Sequence, residues 1–570
     1  MSDSSRLRLV LCWHMHQPNY FDPVKKQYDL PWTYLHVIKD YVDMVAHLEA
    51  VPAARVVVNF APILLEQIDD YAQQVNRYLN AGDRLQDPLL GALISLDMPS
   101  DQGRRFELVK ACLRVNHETV IRRFPQYQLL ADMAARLSDA SDEFFYLSDQ
   151  YIADLLVWYH LGWLGETVRR RDGRVKSLME KARGFSFDDR VLLLQIISEQ
   201  LSGVLARYRK LAQQGQIELS FTPYAHPIMP LLLDLETAHE AMPDAPLPEE
   251  KAYPGGEERV RWHIRKGLAV FEQHFGFKPQ GCWPSEGSVS DETLCVMADE
   301  GIRWVASGES VMRNSLARKE VLTEVGEHGC LHRPYLVADK RMSCFFRDDG
   351  LSDLIGFTYS GWQSEDAVGN LIHHLENIHD ACAGSEDTVV SIILDGENAW
   401  ESYPENAYDF LSALYKRLSV HPAIEMTTFS DCLDVIAPSH VLPKVVAGSW
   451  VYGTFSTWIG EKDKNRGWDM LIEAKQAYDR VMAEAELPGQ EMTALERQLA
   501  VCEGSDWFWW FGDYNATDAV SDFERLYRIQ LTTLYRMLKL EPPAYLSQTF
   551  SYGGGDPAVS GTMRQGQEAQ

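Results

Sequence analysis

Residues 389–400 read VVSIILDGENAW. Between Val389 and Leu394 only Ser391 is polar, and then Asp395, Gly396, Glu397, Asn398 and Trp400 follow within six positions. A short, continuous apolar run rich in β-branched residues and stopped by a glycine is the pattern of a strand covered on both faces. Its end is the puzzle. An acid delivered to the rim of a core is costly unless it is paired or performs chemistry.

The same pattern recurs along the chain. Strands are expected at 7–13 (LRLVLCW), 55–60 (RVVVNF), 217–221 (IELSF), 281–283 (GCW), 302–306 (IRWVA), 342–347 (MSCFFR) and 389–394, with a weaker candidate at 424–428. Long helical segments separate them. Residues 103–137 and 188–213 carry apolar side chains at helical spacing. Ser290 and Gly301 bracket a further helix as N-cap and C-cap signals. Strands alternating with helices imply right-handed crossovers and a parallel sheet, and seven or eight such units fit a barrel better than an open sheet. The fold class expected from these residues is α/β, a (β/α) barrel of seven or eight units, with a doubly wound sheet as the alternative, followed by a C-terminal helical domain. Residues 1–435 would form the barrel with helical insertions. Residues 436–550 would form a helical domain that completes the active site, with capping boxes at Thr493–Glu496 and Ser521–Glu524 starting helices. Residues 551–570 lack an apolar face and read as a disordered tail. The Pro- and Gly-rich stretch 241–256 reads as a long loop near the barrel mouth.

With 570 residues the chain exceeds one compact core. A net charge of −28 repels phosphate backbones and anionic lipids, so neither nucleic acid nor membrane is an expected partner. Nine cysteines, an odd number with no C-x-x-C pair, suit a reducing compartment. The apolar run at the N-terminus is too short for a signal peptide, and no stretch approaches a membrane span, so the expected location is cytoplasmic.

In a parallel barrel the residues just past each strand converge on one face, where such enzymes place their chemistry. His14, His16 and Gln17 follow the first strand, His226 the third, Glu286 the fourth, and Asp395 the last; Arg347 closes the sixth and Asp348 follows it. Glu286 and Asp395 form a candidate pair. Cleaving a glycosidic bond with retention needs two carboxyl groups about 5 to 5.5 Å apart, one attacking and one protonating. The plainer reading of either acid is a helix cap or an ion-pair partner. Each, however, stands near a tryptophan, Trp283 or Trp400, at a helix-starting turn. His14 and His16 share a strand face. They are read as a hydrogen-bond network, with no metal or cofactor expected, although His226 or Asp395 could complete a zinc site. Among Trp507, Trp509 and Trp510, Trp509 is expected in the core. Trp507, next to Asp506, is either core or a sugar platform projecting toward the barrel, and Trp450 and Trp458 leave the same choice open.

Taken together, HMHQP at 14–18, GQIELSFTPYAHPIMPLL at 215–232, GCWPSEGSVS at 281–290, LDGENAW at 394–400 and SDWFWWFGD at 505–513 resemble the five ordered sequence regions of glycoside hydrolase family 57. The wording of the third and fifth looks most like the α-amylase and amylopullulanase branch. That resemblance implies a distorted seven-fold (β/α) barrel with a C-terminal helical domain and a retaining mechanism on α-linked glucans, with Glu286 as nucleophile and Asp395 as general acid/base. By the same match His14, His16 and His226 would line the subsite of the attacked sugar. Trp283 and Trp507 would frame it, and Gln17, Arg347, Asp348 and Asp506 would contact sugar hydroxyls or carboxylates. The function expected is hydrolysis of maltodextrin, glycogen or starch. The alternatives are a 4-α-glucanotransferase or branching enzyme with the same pair, a non-catalytic glucan-binding protein, or a zinc-dependent glycosidase.

Overall fold

The computed structural model describes residues 6–137, 144, 146–318, 331–339, 341–383, 385–484 and 488–555. Seven parallel strands close into a barrel: β1 (Leu7–Met15), β2 (Val56–Phe60), β3 (Ile217–Phe221), β4 (Gly281–Cys282), β5 (Trp304–Gly308), β6 (Met342–Arg347) and β7 (Val389–Asp395). They pair in chain order, and β7 returns to pair with β1. The ring is distorted. β6 meets β7 through the single register pair Arg347 and Ser391, and β4 is only two residues long. The weaker candidate strand is real but lies outside the ring. Ile424–Met426 pairs with Leu7–Leu9 at the base of β1, while β2 pairs with Cys12–Met15 above it.

Alternation along each strand sorts side chains into two layers. Val10 and Cys12 of β1 join Val57, Trp304, Ala306, Phe345 and Ile393 in a cluster that fills the barrel interior. Helix Phe429–Val435 contributes Phe429 and Cys432 to the same cluster. Leu9, Leu11, Trp13 and Met15 belong instead to the larger layer packed with the surrounding helices. Gly281 is required here, because a Cβ would lie 1.8 Å from the Trp304 ring that occupies the interior. The inward sequence on β1 therefore runs Val10, Cys12, His14, and on β7 it runs Ile393, Asp395. The apolar filling ends where the titratable groups begin, at the C-terminal rim.

After the barrel, helices Lys462–Glu484, Gly489–Cys502, Asp506–Trp510 and Thr517–Met537 pack together. The two expected capping boxes do not start these helices. Thr493 and Ser521 lie four residues inside Gly489–Cys502 and Thr517–Met537, and Thr493 Oγ1 donates back to the Gly489 carbonyl. A hydroxyl within a helix finds that acceptor locally and needs no free amide. Ser290, by contrast, caps helix Asp291–Asp299 as expected. Stretch 241–256 runs along the C-terminal helices, where the Glu250 amide donates to Asp469. Of the tail expected at 551–570, residues 556–570 lie outside the described residues, whereas the described start of it is packed: Ser551 is buried and accepts from the Gly512 amide, and Gly555 bridges to Ala516. No helix among the described residues is long and apolar enough to cross a membrane, and the described cysteines are free thiols.

Candidate active site

Strand register assembles the rim. His14 of β1 lies opposite Asp395 of β7 on one side and Asn59 of β2 on the other, and Asn59 lies opposite Ser220 of β3. These neighbours bond in sequence. The Asn59 amide nitrogen donates to Ser220 Oγ at 3.0 Å, so its oxygen faces His14, whose Nδ1 donates to it at 2.7 Å. His14 Nε2 is then an acceptor, and His226 Nε2 donates to it at 3.2 Å. His226 Nδ1 must accept in turn, from Ser505 Oγ at 2.8 Å. The donor logic fixes both tautomers as neutral imidazoles. Burial and the neighbouring rings push the same way: His14 is lowered to about 3, and His226 falls well below its ordinary value.

His16 lies two residues beyond His14 and stacks on His226 with ring centroids 3.9 Å apart and planes 11° from parallel. Its Nε2 donates to Asp506 at 2.7 Å. His16, His226 and Asp506 bring ligand atoms within 4.8 Å of one another. A metal must lie in the plane of each imidazole that binds it, and two nearly parallel, stacked planes share no such point. His16 Nε2 and His226 Nδ1 are already used, by Asp506 and Ser505. The set fits a hydrogen-bonded stack and does not fit one ion.

Glu286 stands on the turn after β4. It is a non-glycine residue in the left-handed region, φ 57° and ψ 25°, followed by Gly287 at φ 57°. His226 is also left-handed, at φ 59°. Such backbone costs about 1–3 kcal/mol per residue and persists only where surroundings impose it. Here the Trp450 amide donates to the Glu286 carbonyl at 3.0 Å, and the Trp450 indole donates to Glu286 Oε2 at 2.9 Å. The carboxyl is buried, and that burial raises it to about 8, with the charge of Asp395 adding to the rise and the Trp450 bond opposing it. Asp395 is raised to about 6 by burial, against the pull of Asn398, whose amide donates to it at 2.9 Å, and of His16 and Arg347. Between these two values the pair holds one proton.

Glu397, two residues beyond Asp395, accepts from the His16 amide and from the Gln17 side chain. Burial, together with the charges of Asp395 and Asp40, raises it well above the ordinary carboxyl range. Glu397 thus ties the end of β7 to the end of β1 through these two bonds. Gly396 permits this approach, since a Cβ there would lie 2.2 Å from Met15 Sδ.

The cleft is lined by His14, His16, Gln17, His226, Glu286, Asp395 and Asp506, and its aromatic wall is Trp509, Trp510 and Phe523. Other expected residues are placed elsewhere. Trp507 is 1% exposed, donates its indole N–H to the Val501 carbonyl, and packs on Phe523 and Tyr527. It is core, and Trp509, expected in the core, lines the cleft instead. Trp283 is buried beneath the site, meeting Trp450 edge to face. Arg347 bonds the Ile393 carbonyl, Asp349 and Asp353, and supports the Trp450 ring from 5.1 Å, so it acts through Trp450. Asp348 caps helix Asp349–Asp353 and bonds His332, away from the cleft. Asn59, Ser505, Glu397 and Asn398 were not singled out as site residues by the sequence, and Trp450 was left between core and sugar platform. Glu397 and Asn398 lie in the motif after β7 and Ser505 in the motif at 505–513, so only Asn59 carried no signal there.

The loop bearing Ser505 and Asp506 is anchored from behind. Glu503 is fully buried and accepts from Arg259, from His263 Nε2 at 2.7 Å and from Tyr253. The His263 backbone carbonyl accepts from the Tyr224 amide, and the Ser505 amide donates to the His226 carbonyl at 2.9 Å. One ionic cluster therefore fixes the helical segment against the turn that carries His226.

Residues 10–446 match the profile of glycosyl hydrolase family 57. A segment of 115 residues, 20% of the chain, is 25% identical to a 1,4-alpha-glucan branching enzyme of Thermococcus kodakarensis, and it spans only 13% of that relative's length. The fold is similar to the crystal structure of that family 57 branching enzyme in complex with glucose, with a TM-score of 0.56 at 14% identity over 93% of this chain and 90% of the other. It is equally similar to the family 57-type branching enzyme of Pyrococcus horikoshii, with a TM-score of 0.56 at 14% identity over 98% and 99% of the two chains. The alpha-amylase of Thermotoga maritima follows at 0.54, with 12% identity over 95% and 96%.

Proposed function

Since the chain belongs to glycosyl hydrolase family 57, we propose that it cleaves α-linked glucans with retention of configuration, using Glu286 and Asp395. Glu286 attacks the anomeric carbon and forms a glycosyl ester as the C1–O bond breaks. Asp395 gives its proton to the departing oxygen. In the second half, Asp395 takes a proton from the incoming hydroxyl as that oxygen displaces the ester. The observation that carries this reading is the pair itself: two carboxyls from different strands, both raised by burial, facing one aromatic-walled cleft.

The other residues have parts that follow from their contacts. The Trp450 N–H favours the ionised form of Glu286 that attack requires. Attack requires the proton the pair shares to lie on Asp395, and an oxygen of the substrate beside Asp395 selects that arrangement. His14, His16, His226, Gln17 and Asp506 offer donors and acceptors for the hydroxyls of the attacked sugar. Trp509 and Trp510 offer aromatic faces for its ring. On this reading residues 1–435 form the catalytic unit, and residues 436–550 complete it by supplying Trp450, Ser505, Asp506 and the aromatic wall.

Water resolving the ester makes the protein an amylase. A second reading, transfer to a sugar hydroxyl, is favoured by the branching enzymes among the similar proteins. Incubation with maltoheptaose and with amylose, followed by chromatography before and after debranching, separates them. Rising reducing ends mean hydrolysis. Longer or debranchable products at constant reducing ends mean transfer. No change in either substrate would refute the proposal.

A further inference from the structure

A groove of about 1290 Å³ runs beside the cleft. That exceeds the roughly 300–1,000 Å³ of a single small-ligand pocket and suits a chain better than one sugar. The two cavities share Trp32, itself 3% exposed, in their walls. Next to it, consecutive residues of helix Thr517–Met537 divide between them, Phe523 in the cleft wall and Asp522 in the groove. The junction is spanned by one side chain. The Arg114 guanidinium lies over the Trp32 ring at 5.6 Å and donates to Asp522 at 2.6 Å. Arg114 and Asp522 are 34% and 24% exposed, and a solvent-screened pair of this kind contributes about 0–1 kcal/mol, too little to bar a ligand. Acidic side chains in the groove outnumber basic ones two to one, which disfavours polyanions and supplies acceptors for hydroxyl groups.

We propose that this groove binds the distal glucosyl units of an extended α-glucan whose scissile bond lies in the cleft, the chain passing between them at Trp32. The proposal rests on the α-glucan reading and adds chain-length selectivity to it. Short substrates reach little of the groove, and long ones gain affinity from it.

Gly91 allows a direct test. It lines the groove on helix Pro88–Leu93, and a Cβ there would meet nothing within 4 Å. Gly91→Trp therefore adds bulk to the groove from a position where the Cβ itself is unobstructed. Gly103, where a Cβ would approach only an Asp101 oxygen at 3.4 Å, provides a second blocking site as Gly103→Trp. Thermal melts choose whichever variant keeps the wild-type midpoint. On maltotriose the variant should match wild-type kcat/KM within twofold. On maltoheptaose and longer chains it should lose tenfold or more, mostly through KM. Equal length dependence in wild type and variant overturns the proposal. Calorimetric binding of maltoheptaose keeps this test apart from the parent reading. If the wild type turns over no α-glucan, the catalytic reading fails, and the groove then stands only if maltoheptaose binds the wild type and binds the blocked variant at least tenfold more weakly. Equal binding, or none to the wild type, overturns it.

Discussion

Replacing Trp450 with Phe removes one hydrogen bond and little else. The phenyl ring keeps a face for Arg347 and an edge for Trp283, which flank the indole at 5.1 and 5.6 Å. What goes is the N–H that reaches Glu286 Oε2 at 2.9 Å. A hydrogen bond to a charged group is worth ~1.5–3 kcal/mol. The productive state needs Glu286 ionised, so kcat/KM should fall by roughly ten- to a hundredfold at 1.36 kcal/mol per decade. The same loss acts on the titration. Without the donor, ionising Glu286 is harder, and the upper limb of the kcat/KM profile, near 8 in the wild type, should move up by roughly one to two units. The assay is kcat/KM on maltoheptaose from pH 4 to 10. A variant that is slower with both limbs unmoved would mean that Trp450 only packs, and an upper limb that moves down would refute the reasoning outright.

In the wild type, kcat/KM should follow a bell with limbs near 6 and 8, because below the first both carboxyls are protonated and above the second neither is; a single sigmoid would contradict it. Asp395→Asn removes a negative charge that raises Glu286, so the remaining titration should move below 8, readable as the pH dependence of azide-rescued turnover. Glu503→Ala leaves Arg259 buried without its carboxylate and should cost about 3–5 kcal/mol in denaturant unfolding. Arg259 and the His263 contact hold Glu503 at about 2 against an ordinary 4.5, so this stabilisation is full above pH 4.5 and is lost as pH falls toward 2; the melting gap between wild type and variant should close over that window. Dialysis against EDTA should leave turnover unchanged, since the stacked His16 and His226 rings do not converge on one ion.

The ring of strands was legible because its strands are largely buried on both faces and most read as apolar runs with few polar interruptions, down to the two residues of Gly281 and Cys282. Which residues meet was less so. That Asp395 and Asn59 flank His14 is a matter of register around a closed sheet, and no local pattern encodes closure. The tryptophans show the limit most clearly. Trp507 and Trp509 lie two positions apart on a five-residue helix, about 200° around its axis. Which one faces the cleft depends on how the helix docks on Phe523 and Tyr527, and that is tertiary. Trp450 lies in an irregular stretch, where no periodicity marks a functional side chain. The misplaced helix starts at Thr493 and Ser521 have a related cause: a Ser/Thr-x-x-Glu pattern marks a cap only if the chain before it is not already helical.

The central claim is a covalent bond on one named oxygen. Wild-type protein incubated with 5-fluoro-α-D-glucosyl fluoride, digested and mapped by mass spectrometry, should carry the sugar as an ester on the peptide containing Glu286, with no label in Glu286→Gln. Label on Asp395 instead, or an unlabelled protein that releases product of inverted configuration, would contradict the account.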